Sequence, residues 1–585
     1  YWVLLGSYWV LLGNSTHTEI MGNLLIVLII LRFLLVLSPQ IGYIHPDEFF
    51  QTIEIAAGDI LNTDVFRAWE FNSTMPLRSI SFPYIIGGLP FVALKYLQDN
   101  SYINITSYWL LVLPRIWMTV LSLITDYSVH VMSKTFEFDS NLAMKIYASS
   151  YITLVYMTRT FSNSLESVLL AVFFIVLLKI TVVPENKRKE SKSKNDQNPH
   201  LKPLSECSVF FMGILTTVGI FNRPTYLLFL LLPAALWFLI LIKPMSFPFV
   251  VNHLLKITIM GVLGVLIACT FFVGVDTQYY RPDTIKNIFS ESSLCMNNDF
   301  IQMFHCFKDL FFTLIIAPYN FLLYNTKSEN LAKHGLHSRF LHILVNLPLL
   351  IGPLILPIFY TVISMILSAV REKFKTDIRI VYLAIVFISP VLLLSIFVHQ
   401  EPRFLIPIVP VGCVLVSGIL GTKKGRKLLW SVWIVFNVLM TLFYGYLHQG
   451  GIVPSLLEAN DEVAISKQPT DHYLVFYKTY MPPRYLVTSN RIKVIDFGSS
   501  SLNELSNTIH DLRSRSANSS IQVFAPATVF DELKPHLTTD FKMDLICPHL
   551  STENPPDFMK IIKTFDKINQ HLSELCIHII VLGKN

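Results

Sequence analysis

Apolar runs close to 20 residues long recur along this chain, and no other feature constrains its fold as strongly. About 20 consecutive apolar residues is the length an α-helix needs to cross a bilayer core. Eleven runs are predicted as crossings: 22–41, 108–127, 141–157, 165–183, 206–221, 226–243, 254–274, 343–369, 380–398, 404–420 and 428–447. A further apolar stretch at 307–323 is read as re-entrant or lumenal, because a twelfth crossing there would put the basic loop after it on the wrong side. Only 15% of the 585 residues are charged, against about 25% in soluble domains. A transmembrane β-barrel would instead show alternating segments of about ten residues. The expected fold class is an all-α polytopic membrane protein with about 11 transmembrane helices.

Charge placement sets the expected topology. Basic residues gather in three short loops: Lys187, Arg188, Lys189, Lys192, Lys194 and Lys202; Arg371, Lys373, Lys375 and Arg379; Lys423, Lys424, Arg426 and Lys427. Positive loops stay cytosolic. These clusters adjoin apolar spans, so they are read as topology signals and no nucleic-acid partner is expected. With Met21 in the cytosol, all three loops fall on the cytosolic side. The glycosylation sequons at Asn72, Asn104 and Asn518 then fall in the lumen, and Asn14 falls in the cytosol.

The two ends differ in character. "YWVLLGS" and "YWVLLGN" stand in tandem at Tyr1 and Tyr8, and residues 1–20 are read as an artefact or a short cytosolic extension. From Met21 a retained signal-anchor helix is expected. Residues 21–447 are the expected transmembrane catalytic domain, with a first lumenal loop at 42–107. Residues 448–585 are expected to form a small lumenal α/β domain. Its strand-like runs are "HYLVFYKTY", "RIKVIDFG", "IQVFAPA" and "CIHIIVLG", with helices near 501–513 and 556–572. A polar linker at 191–203 is read as disordered. The seven cysteines show no metal-ligand spacing. Cys295 with Cys306, and Cys547 with Cys576, share loops placed in the lumen, where disulfides are allowed.

Polar residues beside the spans carry the chemistry. "GYIHPDEFFQTIE" follows the first apolar run and puts His45, Asp47 and Glu48 within four residues. Charge at a membrane boundary is costly unless it meets water, protein or substrate. One carboxylate can take a proton from an acceptor hydroxyl. Neighbours on a helix point about 100° apart, so Asp47 and Glu48 cannot both reach one proton. The alternative reading is an acidic pair serving a helix N-terminus. Four further motifs share the same membrane face: "RTFSNSLE" at Arg159, "NRPTY" at Asn222, "DTQYY" at Asp276 and "HQEPRF" at His399. Together they read as the rim of one cavity. Arg115, Arg159, Arg223 and Arg403 are candidates to hold a phosphate leaving group, for which the guanidinium fork is suited. His399, Glu401 and Arg403 form the densest cluster. Asn163 and Glu166 share a helical face that lines or caps the cavity. Asp126 is expected to pair with Arg115. His334 and His337 have the spacing of a metal pair but lack an evident third ligand. No nucleotide-binding glycine loop is present.

The order "HPDEFFQ", "WEF", "LRS", "RTFSNSLE", "NRPT", "HQEPRF" and "LHQGG", with "TYMPPRYL" further on, resembles the dolichyl-phosphate-mannose-dependent α-mannosyltransferases of glycosyltransferase family 22. The resemblance is closest in the branch that adds a fourth mannose to glycosylphosphatidylinositol (GPI) precursors, and it runs from about Tyr43 to the C-terminus. It implies a GT-C fold in the endoplasmic reticulum membrane, with the active site and C-terminus lumenal. It implies dolichyl phosphate mannose as donor, no bound cofactor or metal, and a trimannosyl GPI precursor as acceptor. The implied product carries an α1,2-linked fourth mannose made by single-displacement inversion. Carried onto this chain, Asp47 is the expected base, with Glu48 orienting it or the acceptor. His399 and Arg403 are expected at the dolichyl phosphate, and His45, Arg159, Asn163, Glu166, Arg223 and Glu401 elsewhere in the substrate site.

Three alternatives stand beside this reading. One is the enzyme adding the third mannose, or an asparagine-linked-glycan mannosyltransferase using the same donor. Another is a transporter of lipid-linked sugar, which would place its polar residues near the bilayer midplane. The last is a catalytically silent subunit of a larger complex.

Overall fold

The computed structural model describes residues 16–182, 204–242, 247–284, 313–332, 335–370, 377–420, 426–465, 470–515, 519–537, 541–557, 559 and 573–582. The tandem repeat, the linker at 191–203, the basic residues 187–202, 371–375 and 423–424, Asn14, Cys295, Cys306, His334, Asn518 and most of the helix predicted at 556–572 lie outside them. The helices that build the bundle and its rim are α1 (Thr16–Leu37), α2 (Glu54–Leu61), α3 (Ser107–Thr135), α4 (Ser140–Ala148), α5 (Ser162–Thr181), α6 (Glu206–Asn222), α7 (Tyr226–Ile242), α8 (Phe247–Tyr280), α9 (Ala317–Asn325), α10 (Ile355–Val370), α11 (Ile378–Leu394), α12 (Val409–Leu420), α13 (Arg426–Leu442) and α14 (Ile452–Ile465).

Among the described residues, six helical stretches are long and apolar enough to cross a membrane: Ser107–Thr135, Ser162–Thr181, His253–Tyr280, His342–Ser368, Pro402–Leu420 and Lys427–Leu447. Four shorter apolar helices accompany them, at Asn23–Leu37, Glu206–Asn222, Tyr226–Leu241 and Ile378–Leu394. The run predicted at 141–157 is not one helix. α4 ends at Ala148, where the Ser149 hydroxyl donates to the Lys145 carbonyl, and a separate π turn follows at Ile152–Tyr156. Within 307–323, the described part enters α9, a nine-residue helix too short to span.

Packing sorts the helices into inner and outer. α12 is buried along Val409–Ser417 at the centre of the largest apolar cluster. On α8, by contrast, Leu255, Ile259, Val262, Leu266 and Phe271 are each at least half exposed. Such a stripe would aggregate in water and is matched by lipid. α6 and α8 cross through glycines. A Cβ on Gly213 would lie 2.4 Å from the Gly261 carbonyl oxygen, and one on Gly264 2.2 Å from that of Phe210. Only glycine permits that approach, the usual solution where helices meet inside lipid.

Beyond α14 the chain forms a five-stranded sheet in the order β2-β1-β3-β5-β4. Its strands are β1 (His472–Phe476), β2 (Ile492–Asp496), β3 (Ser520–Pro526), β4 (Phe541–Ile546) and β5 (Ile577–Leu582). β1 pairs in parallel with β2 and β3, while β5 runs antiparallel to β3 and β4. The side-chain period of two divides the sheet. Leu474, Phe476, Phe524, Ile577 and Ile579 pack in one cluster with Tyr43, Phe49 and Leu110 of the helical part. Val475, Tyr477, Ile521, Val523 and Ile580 face Leu505 and Ile509 of α15 (Leu502–Arg515). β4 was not anticipated from the sequence. It is an edge strand whose middle residues, Lys542 to Leu545, are exposed, so its apolar signal is weak. A disulfide joins Cys547 to Cys576.

One buried carboxylate ties the first loop to this C-terminal part. Glu54, at the start of α2, accepts from the backbone amides of Phe66, Arg484 and Tyr485. Burial pushes its carboxyl up to about 8, against the pull of those three amides. A carboxyl raised in the folded state stabilises fully below its unfolded value near 4, and that stability is lost as pH rises through about 8. The expected outcome is a melting temperature in detergent that falls between pH 5 and 8, with Glu54 contributing about 1.4 kcal/mol per pH unit in that window. Glu54→Gln should flatten the curve; an unchanged slope in the variant would show that Glu54 does not govern it.

Candidate active site

The sequence between α1 and α2 is held by its backbone. The Gly42 amide donates to the Gly445 carbonyl and the Tyr43 amide to that of His448, both at 2.8 Å. A Cβ on Gly42 would lie 2.4 Å from the Tyr444 carbonyl oxygen, so only glycine fits. Helical turning begins at once: the Glu48 amide donates to the His45 carbonyl and the Phe49 amide to that of Pro46. This turn separates the acidic pair.

Glu48 points inward and is fully buried. Its Oε1 lies 2.7 Å from Arg115 Nη2 and its Oε2 3.0 Å from Arg159 Nη1. Arg115 also donates to the Gln40 carbonyl at 2.8 Å. The two arginines therefore clamp Glu48 to Gln40, in the segment that follows α1. Asp126 does not partner Arg115 as expected. It pairs with Arg32 at 2.7 Å, because α1 packs against the middle of α3 and brings Arg32 onto that face.

Asp47 points the other way, into a cavity of about 250 Å³. Its Oδ2 lies 2.6 Å from Arg403 Nη1 and accepts from Gln51 Nε2 at 2.5 Å. Arg403 bridges two carboxylates, its Nε lying 2.5 Å from Glu401 Oε2 and its Nη2 2.9 Å from Oε1. His399 Nε2 sits 2.9 Å from Glu401 Oε1. His45 spans the pair, 3.5 Å from Asp47 and 3.6 Å from Glu401. Burial alone would raise the Asp47 carboxyl, but the Arg403 guanidinium, aided by His45, holds it well below the usual carboxylate range. Glu401 is held low in the same way, by Arg403 and His399. Burial works to lower His399, yet its bond to Glu401 leaves it raised above its ordinary value. Asp47 and Glu401 are thus ionised at neutral pH.

The loop that carries Arg403 is shaped by Gln400, which is buried. Its side chain donates to the Phe397 and Ser395 carbonyls and accepts from the His342 amide. His337 serves this loop too, as its Nδ1 accepts from the Gln400 amide. Arg223 enters from the end of α6. It donates to Ser162 Oγ at 3.0 Å, lies 3.4 Å from Glu166 and stacks over Phe404. Arg403 lies over the same ring at 5.4 Å.

The cavity thus gathers His45, Asp47, Arg223, His399, Glu401 and Arg403. Glu48, Arg159, Asn163 and Glu166 stand behind it, all fully buried. Glu166 acts on the cavity through Arg223, and accepts from Thr225 at 2.8 Å. Sequence reasoning missed Gln51, Phe404 and Glu70 as lining residues. Gln51 was findable, since it follows Asp47 by one helical turn.

A bundle of apolar helices enclosing a cavity of paired carboxylates and arginines defines a multi-span membrane protein with a polar candidate active site. Comparison with known proteins narrows that class. The model of the Alg9-like mannosyltransferase family matches residues 23–488, and the chain belongs to that family. It is 31% identical to GPI alpha-1,2-mannosyltransferase 4 of Homo sapiens, across 95% of this chain and 92% of the relative. It is 32% identical to GPI mannosyltransferase 4 of Candida albicans, across 80% of each. Among solved structures it is similar to ArnT of Cupriavidus metallidurans bound to undecaprenyl phosphate, at 10% identity and a TM-score of 0.48, across 96% of this chain and 98% of that one.

Proposed function

We propose that this enzyme transfers mannose from dolichyl phosphate mannose to the third mannose of a GPI precursor, forming an α1,2-linked fourth mannose in the endoplasmic reticulum lumen. The observation that carries the reading is the meeting of Asp47 with Arg403 in one cavity, 2.6 Å apart. It supports the reading by setting a carboxylate able to take a proton beside a guanidinium suited to phosphate. The full-length similarity to relatives named for GPI mannosyltransfer supports the acceptor. The GT-C fold, the lumenal cavity and a lumenal C-terminal domain at 448–585 belong to the same proposal.

The reaction is a single displacement. The acceptor 2-hydroxyl oxygen attacks C1 of the donor mannose while the C1–O bond to phosphate breaks, and dolichyl phosphate leaves with the electron pair. The hydroxyl proton passes to Asp47. Arg403, His399 and Arg223 receive the phosphate charge. Because Arg403 also holds Asp47 ionised, a phosphate that draws on the guanidinium relieves Asp47 and makes it a stronger base at the moment of attack. Glu48 and Arg159 position this apparatus from behind.

The test is incubation of purified full chain with dolichyl phosphate mannose and a trimannosyl GPI acceptor, with product read by mass spectrometry. A tetramannosyl product is expected. Preference for a dimannosyl acceptor would overturn the fourth-mannose reading in favour of third-mannose transfer. Absence of transfer to either, with the donor still bound, would overturn the GPI reading.

A further inference from the structure

The cavity has a second wall that this chemistry does not use. Trp69 lies in the first loop, 48% exposed, and its ring centroid sits 4.8 Å from that of Tyr324 on α9, tilted by 36°. Both rings line the same cavity as Asp47. Glu70 lines the cavity too, and its Oε1 takes both Arg78 contacts, from Nε at 3.1 Å and from Nη2 at 3.0 Å. No hydrogen-bond donor among the described residues reaches its Oε2.

The segment that carries these groups is fixed without help from the Trp69 ring. The Leu77 amide donates to the Glu70 carbonyl at 2.8 Å, and the Tyr280 hydroxyl to the Arg78 carbonyl at 2.9 Å. Asn320, on α9 itself, donates to the Pro76 carbonyl at 3.0 Å, which fixes the two halves of the wall to each other. A large aromatic surface held rigid and open to a polar cavity, with a carboxylate oriented beside it, is a preformed ligand surface. Its chemistry is specific. Hexoses present a flat face of C–H groups that suits an aromatic ring, and a ring of hydroxyls that donate to a carboxylate.

We propose that Trp69 and Glu70, with Tyr324 backing the indole, form a saccharide subsite that seats the terminal hexose of the acceptor, its C–H face on the exposed Trp69 ring and one hydroxyl on Glu70 Oε2. This assignment rests on the reading of the chain as a transferase acting on a mannosyl acceptor. The donor phosphate then belongs to the Arg403 side of the cavity and the acceptor sugar to the Trp69 side, with Asp47 between the two chemistries. Arg78 holds the Glu70 carboxylate in place through its two contacts to Oε1.

Two measurements separate the subsite from the reaction. In initial-rate assays of the full chain, Trp69→Ala and Glu70→Gln should each raise the acceptor KM about tenfold and leave the donor KM unchanged, with Trp69→Phe restoring most of the loss. An unchanged acceptor KM in both Trp69→Phe and Glu70→Gln variants and in Trp69→Ala, or a parallel rise in both KM values, would overturn the subsite. The parallel rise is what an interfacial anchor would give. The second measurement is a fluorescence titration with free α-linked mannotriose, which needs no turnover. A saturable change in wild type that is absent in Trp69→Ala supports the subsite even if no tetramannosyl product forms, in which case only the reaction reading falls. No saturable change at any concentration, in a chain that does transfer mannose, would overturn the subsite and leave the reaction intact.

Discussion

Replacing Asp47 with asparagine is expected to leave a folded protein that transfers mannose about 10²–10⁴-fold more slowly. The substitution keeps the size of the side chain and removes only its charge and its ability to take a proton. Arg403 keeps its two contacts to Glu401, so no buried cation is stranded. The side chain lies at the cavity edge, 22% exposed, where an amide is easily accommodated. The loss should appear in kcat with little change in donor KM, because Asp47 acts on the acceptor proton and not on the phosphate. Rates within about tenfold of wild type, below the usual worth of a general base, would move the base to another group.

Replacing Glu48 with glutamine should act by a different route and with a larger effect on the fold. Glu48 is the shared anion of two buried arginines, and its removal strands both charges. Breaking a buried ion pair from one side costs about 3–5 kcal/mol. The variant should therefore melt well below wild type in detergent, while Asp47→Asn should not. Unfolding followed by heat, with donor binding measured on the folded fraction, separates the two. A Glu48→Gln protein of wild-type stability that had lost only kcat would place Glu48 among the reacting groups and contradict the positioning role.

The contrast between these neighbours shows what the sequence carried and what it withheld. The apolar runs were legible because lipid demands them, and the polar clusters were legible because charge beside such runs is rare. That Asp47 and Glu48 face apart also followed from helical geometry. Which one faces the cavity did not, because it depends on where Arg115 and Arg159 arrive from α3 and the turn before α5. Arg159 looked like a phosphate ligand for the same reason that it is a clamp: an arginine beside an apolar span needs an anion, and the sequence does not say whose. Glu70 lay inside a quoted motif, yet its link to the cavity depends on Arg78, Tyr280 and α9. The sheet showed the converse. β1 was visible from its apolar run, while β4, exposed through its middle, had no such signal.

The pairing of Asp47 with Arg403 also has a consequence for biosynthesis. Asp47 leaves the ribosome roughly 350 residues before its guanidinium partner, an interval of tens of seconds at ordinary synthesis rates. The Gly445 and His448 carbonyls that hold the Gly42–Tyr43 backbone are made later still. The acidic loop therefore gains its counter-charge first and its backbone support only afterwards. A nascent chain interrupted before Arg403 therefore lacks the counter-charge and the backbone support alike, and one interrupted between Arg403 and Gly445 has the ion pair without the backbone that holds the loop.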